Sequence, residues 1–260
     1  MFLKNDRWYV ALQTEREIPE PVHPSSSSVG VDMGIARFAT LSDGSFHPPL
    51  DSFKKHERAL RKAQKALSRK QKFSQNWYKA KKRVSRIHER IANARKDFLH
   101  KTSTEVSKNH AFVVLENLQV RNMSGSAKGT LEDPGKCVAA KSGLNKAILD
   151  QGWFEFRRQL EYKLSWCGGC LILLPPQNTS RRCSVCGYIS KENRPSQAQF
   201  RCLSCGHEAN ADENAAMNIL AAGLAASACG EDIRPGRNIF PAASAKQEPA
   251  EIPRTELVSA

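Results

Sequence analysis

The chain has 260 residues, 40% hydrophobic and 25% charged, enough for one large or two smaller domains with a real core. No run approaches the roughly eighteen consecutive apolar residues of a membrane span, and the start Met1-Phe2-Leu3-Lys4-Asn5-Asp6 has no signal-peptide apolar region, which disfavours membrane and secreted classes and predicts a cytoplasmic location. Forty Lys and Arg against 26 Asp and Glu leave a net charge of +14, which calls for an anionic partner.

In chain order, residues 7 to 14 read as a strand by their aromatic and aliphatic content. A lone strand here has no sheet partner nearby, so residues 1 to 14 are expected to be the remnant of a domain whose earlier part is absent. Residues 15 to 28 carry three prolines and four consecutive serines and read as a linker. Val29 to Asp32 and Phe38 to Leu41 then read as strands, followed by an Asp43-Gly44 turn and a third strand near Phe46.

Residues 51 to 109 are helical in composition. Leu60 and Leu67 mark one apolar stripe, and Val84, Ile87, Ile91, Ala94 and Phe98 mark another, with a break at Ser74-Gln75-Asn76. Two basic helices folded back on each other are predicted. Between Lys54 and Lys96 stand 17 basic residues and two acidic ones, Glu57 and Glu89, which favours nucleic acid as partner, since neutralising phosphates releases counterions. The other readings are a solvated helix face and a membrane surface, the latter opposed by the lack of a bulky apolar face.

Ala111 to Leu115 suits a buried strand that stops at Glu116, residues 144 to 166 show one helical periodicity, and Leu171 to Leu174 form a further buried strand closed by Pro175-Pro176. Next come Cys183, Cys186, Cys202 and Cys205 in a C-x2-C-x15-C-x2-C frame, each second cysteine followed by glycine. Two such knuckles match a tetrahedral, structural zinc site, which uses four thiolates and leaves no open position. Four unrelated thiols or two disulfides are the other readings. Cys167 and Cys170 repeat the C-x2-C spacing without a second knuckle, and His207 finds the tetrahedron already full. A helix from about Asp212 to Ala226 follows, and the aperiodic stretch 227 to 260 is expected to be disordered.

Three acids stand at element ends. Asp32 ends a strand, Glu116 ends another, and Asp212 begins the last helix. Converging carboxylates resist joint ionisation, and divalent cations such as Mg2+ relieve that conflict. Taken singly, each acid also fits a turn, a helix cap or a solvated strand end.

The pieces Val31-Asp32-Met33-Gly34, Val114-Leu115-Glu116-Asn117-Leu118, Pro176-Gln177-Asn178-Thr179-Ser180, the cysteine frame and Asp212-x-Asn214-Ala215-Ala216-x-Asn218-Ile219 together resemble the TnpB (OrfB) family of insertion-sequence proteins, relatives of type V CRISPR effector nucleases. The resemblance covers residues 7 to about 226. It implies an α/β fold: a RuvC-type RNase H-like domain over 29–182 with the basic hairpin at 51–109, a zinc ribbon at 183–206, and the last RuvC-like segment at 207–226. It implies Asp32, Glu116 and Asp212 as catalytic ligands of Mg2+, Zn2+ as a structural ion, and RNA-guided cleavage of DNA with a guide from the transposon end. Residues 1–14 would be all that remains of the family's N-terminal wedge-like domain, which puts guided activity in question. A catalytically silent zinc-ribbon nucleic-acid-binding remnant or regulator of the element is the alternative reading. A strand-joining transposase is a third.

Overall fold

The computed structural model describes residues 1–4, 7–15, 20–176 and 179–228. The disorder expected over 227–260 concerns residues that, from 229 onward, lie outside the described ones. Near the start, β1 (Phe2–Lys4) pairs antiparallel with β2 (Arg7–Tyr9). The strand read over 7–14 is therefore shorter and has a partner. Among the described residues this sheet has two strands, and its pairing ends after three residues, so Val10–Thr14 run exposed.

The body is a five-stranded sheet. β3 (Ser28–Asp32), β4 (Ala39–Leu41) and β5 (Phe46–His47) form its antiparallel part. In the turn between β4 and β5, Gly44 sits at φ 87° and the Asp43 carboxylate accepts from the Ser45 amide at 2.8 Å.

Two helices follow, α1 (Ser52–Ser68) and α2 (Gln75–Asn109). The break falls slightly earlier than expected, because Ser74 is the N-cap of α2: its Oγ accepts from the Trp77 amide at 3.2 Å, which already places Gln75 and Asn76 in the first turn. β6 (Phe112–Glu116), the short α3 (Val120–Met123), α4 (Val138–Gln151), α5 (Trp153–Cys167) and β7 (Cys170–Leu174) complete this part. The single helix read over 144–166 is two helices. Gly152, at φ 74°, ends α4 in the left-handed region, with the Leu99 and Arg95 side chains filling the space beside it.

Strand order is β5-β4-β3-β6-β7, with β3, β6 and β7 mutually parallel. On one face Val29, Val31, Val113, Leu115 and Leu173 pack against Leu99 and Val106 of α2 and against Phe156, Leu160 and Leu164 of α5. Phe38 closes this core, edge-on to Phe98 and Phe156 at centroid distances of 5.0 Å each. The hairpin of β8 (Gln199–Arg201) and β9 (Glu208–Asn210) then leads into α6 (Ala211–Ala228), which covers the opposite face. There Ile219 packs on Val114, Ile172 and Leu174.

Side chains along a strand alternate between faces, so this division fixes the direction of every residue in β3 and β6. Val29 and Val31 face α2 and α5, which leaves Gly30 and Asp32 facing α6. By the same parity Val114 and Glu116 face α6. Gly30 lets α6 approach closely, since a Cβ there would collide with the Ala216 carbonyl and the Leu220 amide.

Candidate active site and cysteine centre

Val31 pairs with Leu115 across the two parallel strands, so Asp32 and Glu116 are the next residues along neighbouring chains. Both strand ends stand beside the first turn of α6, where Asp212 is the second helical residue. A cavity of about 290 Å³ is lined by all three acids together with Thr179 and Arg194.

Crowding leaves an electrostatic record. Burial pushes the Asp32 carboxyl up from 3.8 to about 7; the neighbouring Glu116 and Asp212 charges add to the rise, while Arg194 and the Met33 amide oppose it. Burial also raises Glu116, against a hydrogen bond donated to its carboxylate by the Thr179 hydroxyl. The capping role open to Asp212 is taken by another residue: the Asn210 side-chain oxygen accepts from the Asp212 amide at 3.0 Å and the Glu213 amide at 3.4 Å. The Asp212 carboxylate is left to meet Arg194, whose guanidinium donates to it at 3.3 Å and to the Gln197 carbonyl at 2.7 Å. A carboxylate such as Asp32, penalised by burial and by the neighbouring charges of Glu116 and Asp212, is a hard oxygen ligand of the kind that suits a divalent cation.

The four cysteines form a second centre. Their sulfurs all lie within 4.8 Å of one another, with 3.7 Å between Cys183 and Cys205 and 3.5 Å between Cys186 and Cys202. A tetrahedral ion with metal–sulfur bonds of about 2.3 Å needs sulfurs roughly 3.8 Å apart, so the four thiols are placed to hold a metal ion such as zinc.

The two knuckles repeat one hydrogen-bond pattern. The Gly187 amide donates to the Cys183 carbonyl and the Gly206 amide to the Cys202 carbonyl, both at 3.0 Å. Gly187 and Gly206 adopt φ of 77° and 74°, the left-handed turn that glycine tolerates. Burial raises the Cys202 thiol, but amides of Cys205 and Ser204 outweigh it and bring the thiol to about 7. Cys205 moves the other way, to about 12: the His207 amide lowers it, but its sulfur neighbours, Cys186 first, and burial raise it more. One thiol lowered and its neighbour raised within a single cluster is the conflict that a cation relieves. Cys167 and Cys170 lie outside this group.

Asparagines join the two centres. The Asn218 amide donates to the carbonyls of Thr179 at 2.9 Å and Arg182 at 2.7 Å, and Asn214 donates to the Arg182 carbonyl at 2.8 Å while accepting from the Ser184 amide at 3.0 Å. Buried Asn193 braces the cysteine-bearing segment from inside, donating to the Arg181 carbonyl at 3.0 Å and accepting from the Leu203 amide at 3.1 Å. Asn193 and Arg194 carried no sequence signal, because neither belongs to a periodic element or a spaced motif. Asn214, Asn218 and Thr179 were visible as letters of the motifs.

Comparison with known proteins identifies the family. Residues 10–127 match the OrfB_IS605 family model, described as probable transposase, and residues 153–219 match the Cas12f1-like TNB domain. The chain is 55% identical over 246 residues to "Putative RNA-guided DNA endonuclease InsQ" of Escherichia coli K12, covering 95% of this chain and 60% of that protein. It is 40% identical over 261 residues to "Putative RNA-guided DNA endonuclease" of Streptomyces pristinaespiralis, covering 95% of this chain and 59% of that protein. The chain thus spans about three-fifths of the length of these relatives. Among solved structures, a Cas12f1 chain in complex with sgRNA and target DNA has a TM-score of 0.50 at 19% identity, covering 79% of this chain and 51% of that one, which is a likeness of fold. The chain belongs to the TnpB (OrfB) family of insertion-sequence proteins.

Proposed function

We propose that this chain is the nuclease part of an RNA-guided DNA endonuclease, a RuvC-type RNase H-like domain over 29–182 and 207–226 that carries a basic hairpin at 51–109 and a zinc ribbon at 183–206. Asp32, Glu116 and Asp212 are its catalytic carboxylates and hold Mg2+; Cys183, Cys186, Cys202 and Cys205 hold a structural Zn2+. DNA and a guide RNA are its partners. The observation that carries this reading is the shared direction of Asp32 and Glu116, two adjacent strand ends facing the helix start that bears Asp212.

Within the site the protein's own groups have separate tasks. Asp32 and Glu116 stand at the ends of neighbouring paired strands, which fixes the separation of their backbones. Thr179 orients one Glu116 oxygen, and Arg194 orients Asp212. Bound divalent cations supply activation of a water and stabilisation of the leaving oxygen in phosphodiester cleavage. The closed ribbon contributes no open metal position and acts by holding Arg194 over the cavity.

The test is cleavage of single-stranded and guide-paired DNA by the chain and by its Asp32→Asn variant, with Mg2+ binding measured by calorimetry. Undiminished cutting by the variant would falsify the assignment of the three carboxylates. Binding with a steep salt dependence and no cutting by either chain would favour the silent nucleic-acid-binding reading.

A further inference from the structure

Helices α1 and α2 extend well past the core. Residues 64–90 contain no buried side chain, and at 1.5 Å per residue the start of α2 stands roughly 24 Å beyond Ile91, the first buried residue of that helix. This stretch forms an arm with ten basic residues and one acid, Glu89. Burial does not explain its composition.

The arm ends in an aromatic cluster. Phe73 and Trp77 lie with ring centroids 5.6 Å apart, Trp77 and Tyr78 meet edge to face at 5.2 Å, and the Lys81 ammonium sits 5.1 Å from the Trp77 ring centre. Phe73 is 74% exposed and Tyr78 49%. Lys70, Lys72 and Lys79 flank them. Large aromatics are usually buried, and this group is held in water at the tip of a cationic arm.

The backbone at the tip is hydrogen-bonded and strained. The Lys70 amide bonds the Leu67 carbonyl at 3.1 Å, the Ser74 amide bonds the Gln71 carbonyl at 3.2 Å, and Ser74 caps α2. Between them Phe73 takes φ 67°, a left-handed conformation in which glycine would be relaxed and phenylalanine is not. Phe73 packs on Trp77 yet stays largely in solvent, so core packing does not account for its strain.

We propose that the Phe73–Trp77–Tyr78 tip is a stacking site for unpaired bases of a single-stranded nucleic acid, with Lys70, Lys72, Lys79 and Lys81 meeting the adjoining phosphates. Aromatic faces between cationic side chains are the arrangement that binds single strands with little sequence preference. This deepens the reading of the chain as a nucleic-acid-acting protein, but it needs no catalytic metal.

The experiment is fluorescence anisotropy without added Mg2+, using the whole chain, labelled oligothymidylate, labelled oligouridylate and an abasic phosphodiester strand of equal length. Tyr78→Ala and Phe73→Gly are each expected to weaken binding to the base-bearing strands on the order of tenfold, with the salt slope and abasic-strand binding unchanged. Phe73→Gly should also raise the melting temperature or leave it as it was, which separates lost binding from lost folding. Lys70→Gln with Lys72→Gln should lower the salt slope by about 0.7 for each phosphate left unneutralised. The comparison of oligothymidylate with oligouridylate identifies DNA or RNA as the source of the bases, and a base-dependent loss on either supports the site. Equal affinities for wild-type chain and aromatic variants, or equal losses on the abasic strand, overturn it. Because cleavage is not read, failure here leaves the carboxylate assignment standing.

Discussion

The Arg194 guanidinium, carried by the cysteine-bearing segment, lies 3.3 Å from the Asp212 carboxylate at the start of α6. It is also the cation that opposes the rise of Asp32. One side chain therefore steadies two of the three acids, one at a strand end and one in the first turn of α6.

Replacing it should separate positioning from folding. Arg194→Ala is expected to reduce Mg2+-dependent cleavage by about tenfold to a hundredfold, the usual cost of losing a residue that orients a metal ligand. It should also move the acidic limb of the pH–rate profile upward, since Asp32 loses its cationic neighbour. Arg194→Lys should restore the limb more than the rate, because a point charge replaces a fork that also bonds the Gln197 carbonyl. A cleavage rate and pH profile equal to wild type would sink the role given to Arg194.

A different test concerns the approach of α6 to the sheet. A Cβ on Gly30 would meet backbone, the Ala216 carbonyl and Leu220 amide, whereas one on Gly223 would meet the Val114 side chain. Backbone cannot step aside without moving the helix. Gly30→Ala is therefore predicted to destabilise by about 2–4 kcal/mol, at the upper end for overpacking, and Gly223→Ala by less, in urea unfolding. The Gly30 variant should also lose metal affinity, since the displaced helix carries Asp212. Equal effects of the two substitutions would contradict the close-approach argument.

The cysteine centre makes a third prediction. Purified chain should contain stoichiometric zinc by elemental analysis, and chelation should expose amides of 183–210 and the first turn of α6 to hydrogen exchange while β6 and β7 stay protected. The coupling to α6 follows from the Asn214 and Asn218 bonds to Thr179, Arg182 and Ser184. Cys183→Ser should cost more stability than Cys186→Ser, because Cys183 is buried with Phe200, Cys202 and Ala211 and Cys186 is exposed. Unchanged exchange in α6 after metal removal would show the two centres to be independent.

The legible parts of this molecule were those whose signal is local. Val29 to Asp32 and the run before Glu116 announced buried strands by composition, and the spaced cysteines announced their own clustering. The broken helix at Gly152 was not legible, because the left-handed turn depends on Leu99 and Arg95 arriving from α2. The hairpin partner of Arg7–Tyr9 was missed because Phe2–Lys4 is too short to carry a period. At the site, the acids could be nominated only as a set, each fitting a turn, a cap or a strand end when taken singly, and their common direction follows from which strand face α6 covers, a tertiary fact. Arg194 and Asn193 lie in the loop between knuckles, where the role of a side chain is set by the fold around it.

The last prediction uses the acid cluster itself. A carboxyl raised from 3.8 to about 7 keeps its proton in the native state over a pH range where the unfolded chain has lost it. The native state then binds more protons than the unfolded state, so this group's contribution to stability falls as pH rises from about 4 to about 7 and is constant beyond. Glu116, also raised, acts with the same sign. Lowered histidines, His100 and His110, act with the opposite sign below their ordinary value of 6.5, so total stability does not isolate the cluster. A difference measurement does. Asp32→Asn should be more stable than wild type at pH 7.5 by a few kcal/mol, because each tenfold change in proton affinity between the two states is worth about 1.4 kcal/mol, and the advantage should shrink to nothing near pH 4. Adding Mg2+ at pH 7.5 should raise the melting temperature of wild type and leave the variant unmoved, since a ligand stabilises only the state that binds it. A variant no more stable than wild type at pH 7.5, or one that gains as much from Mg2+, would remove the case for crowded carboxylates at this strand end.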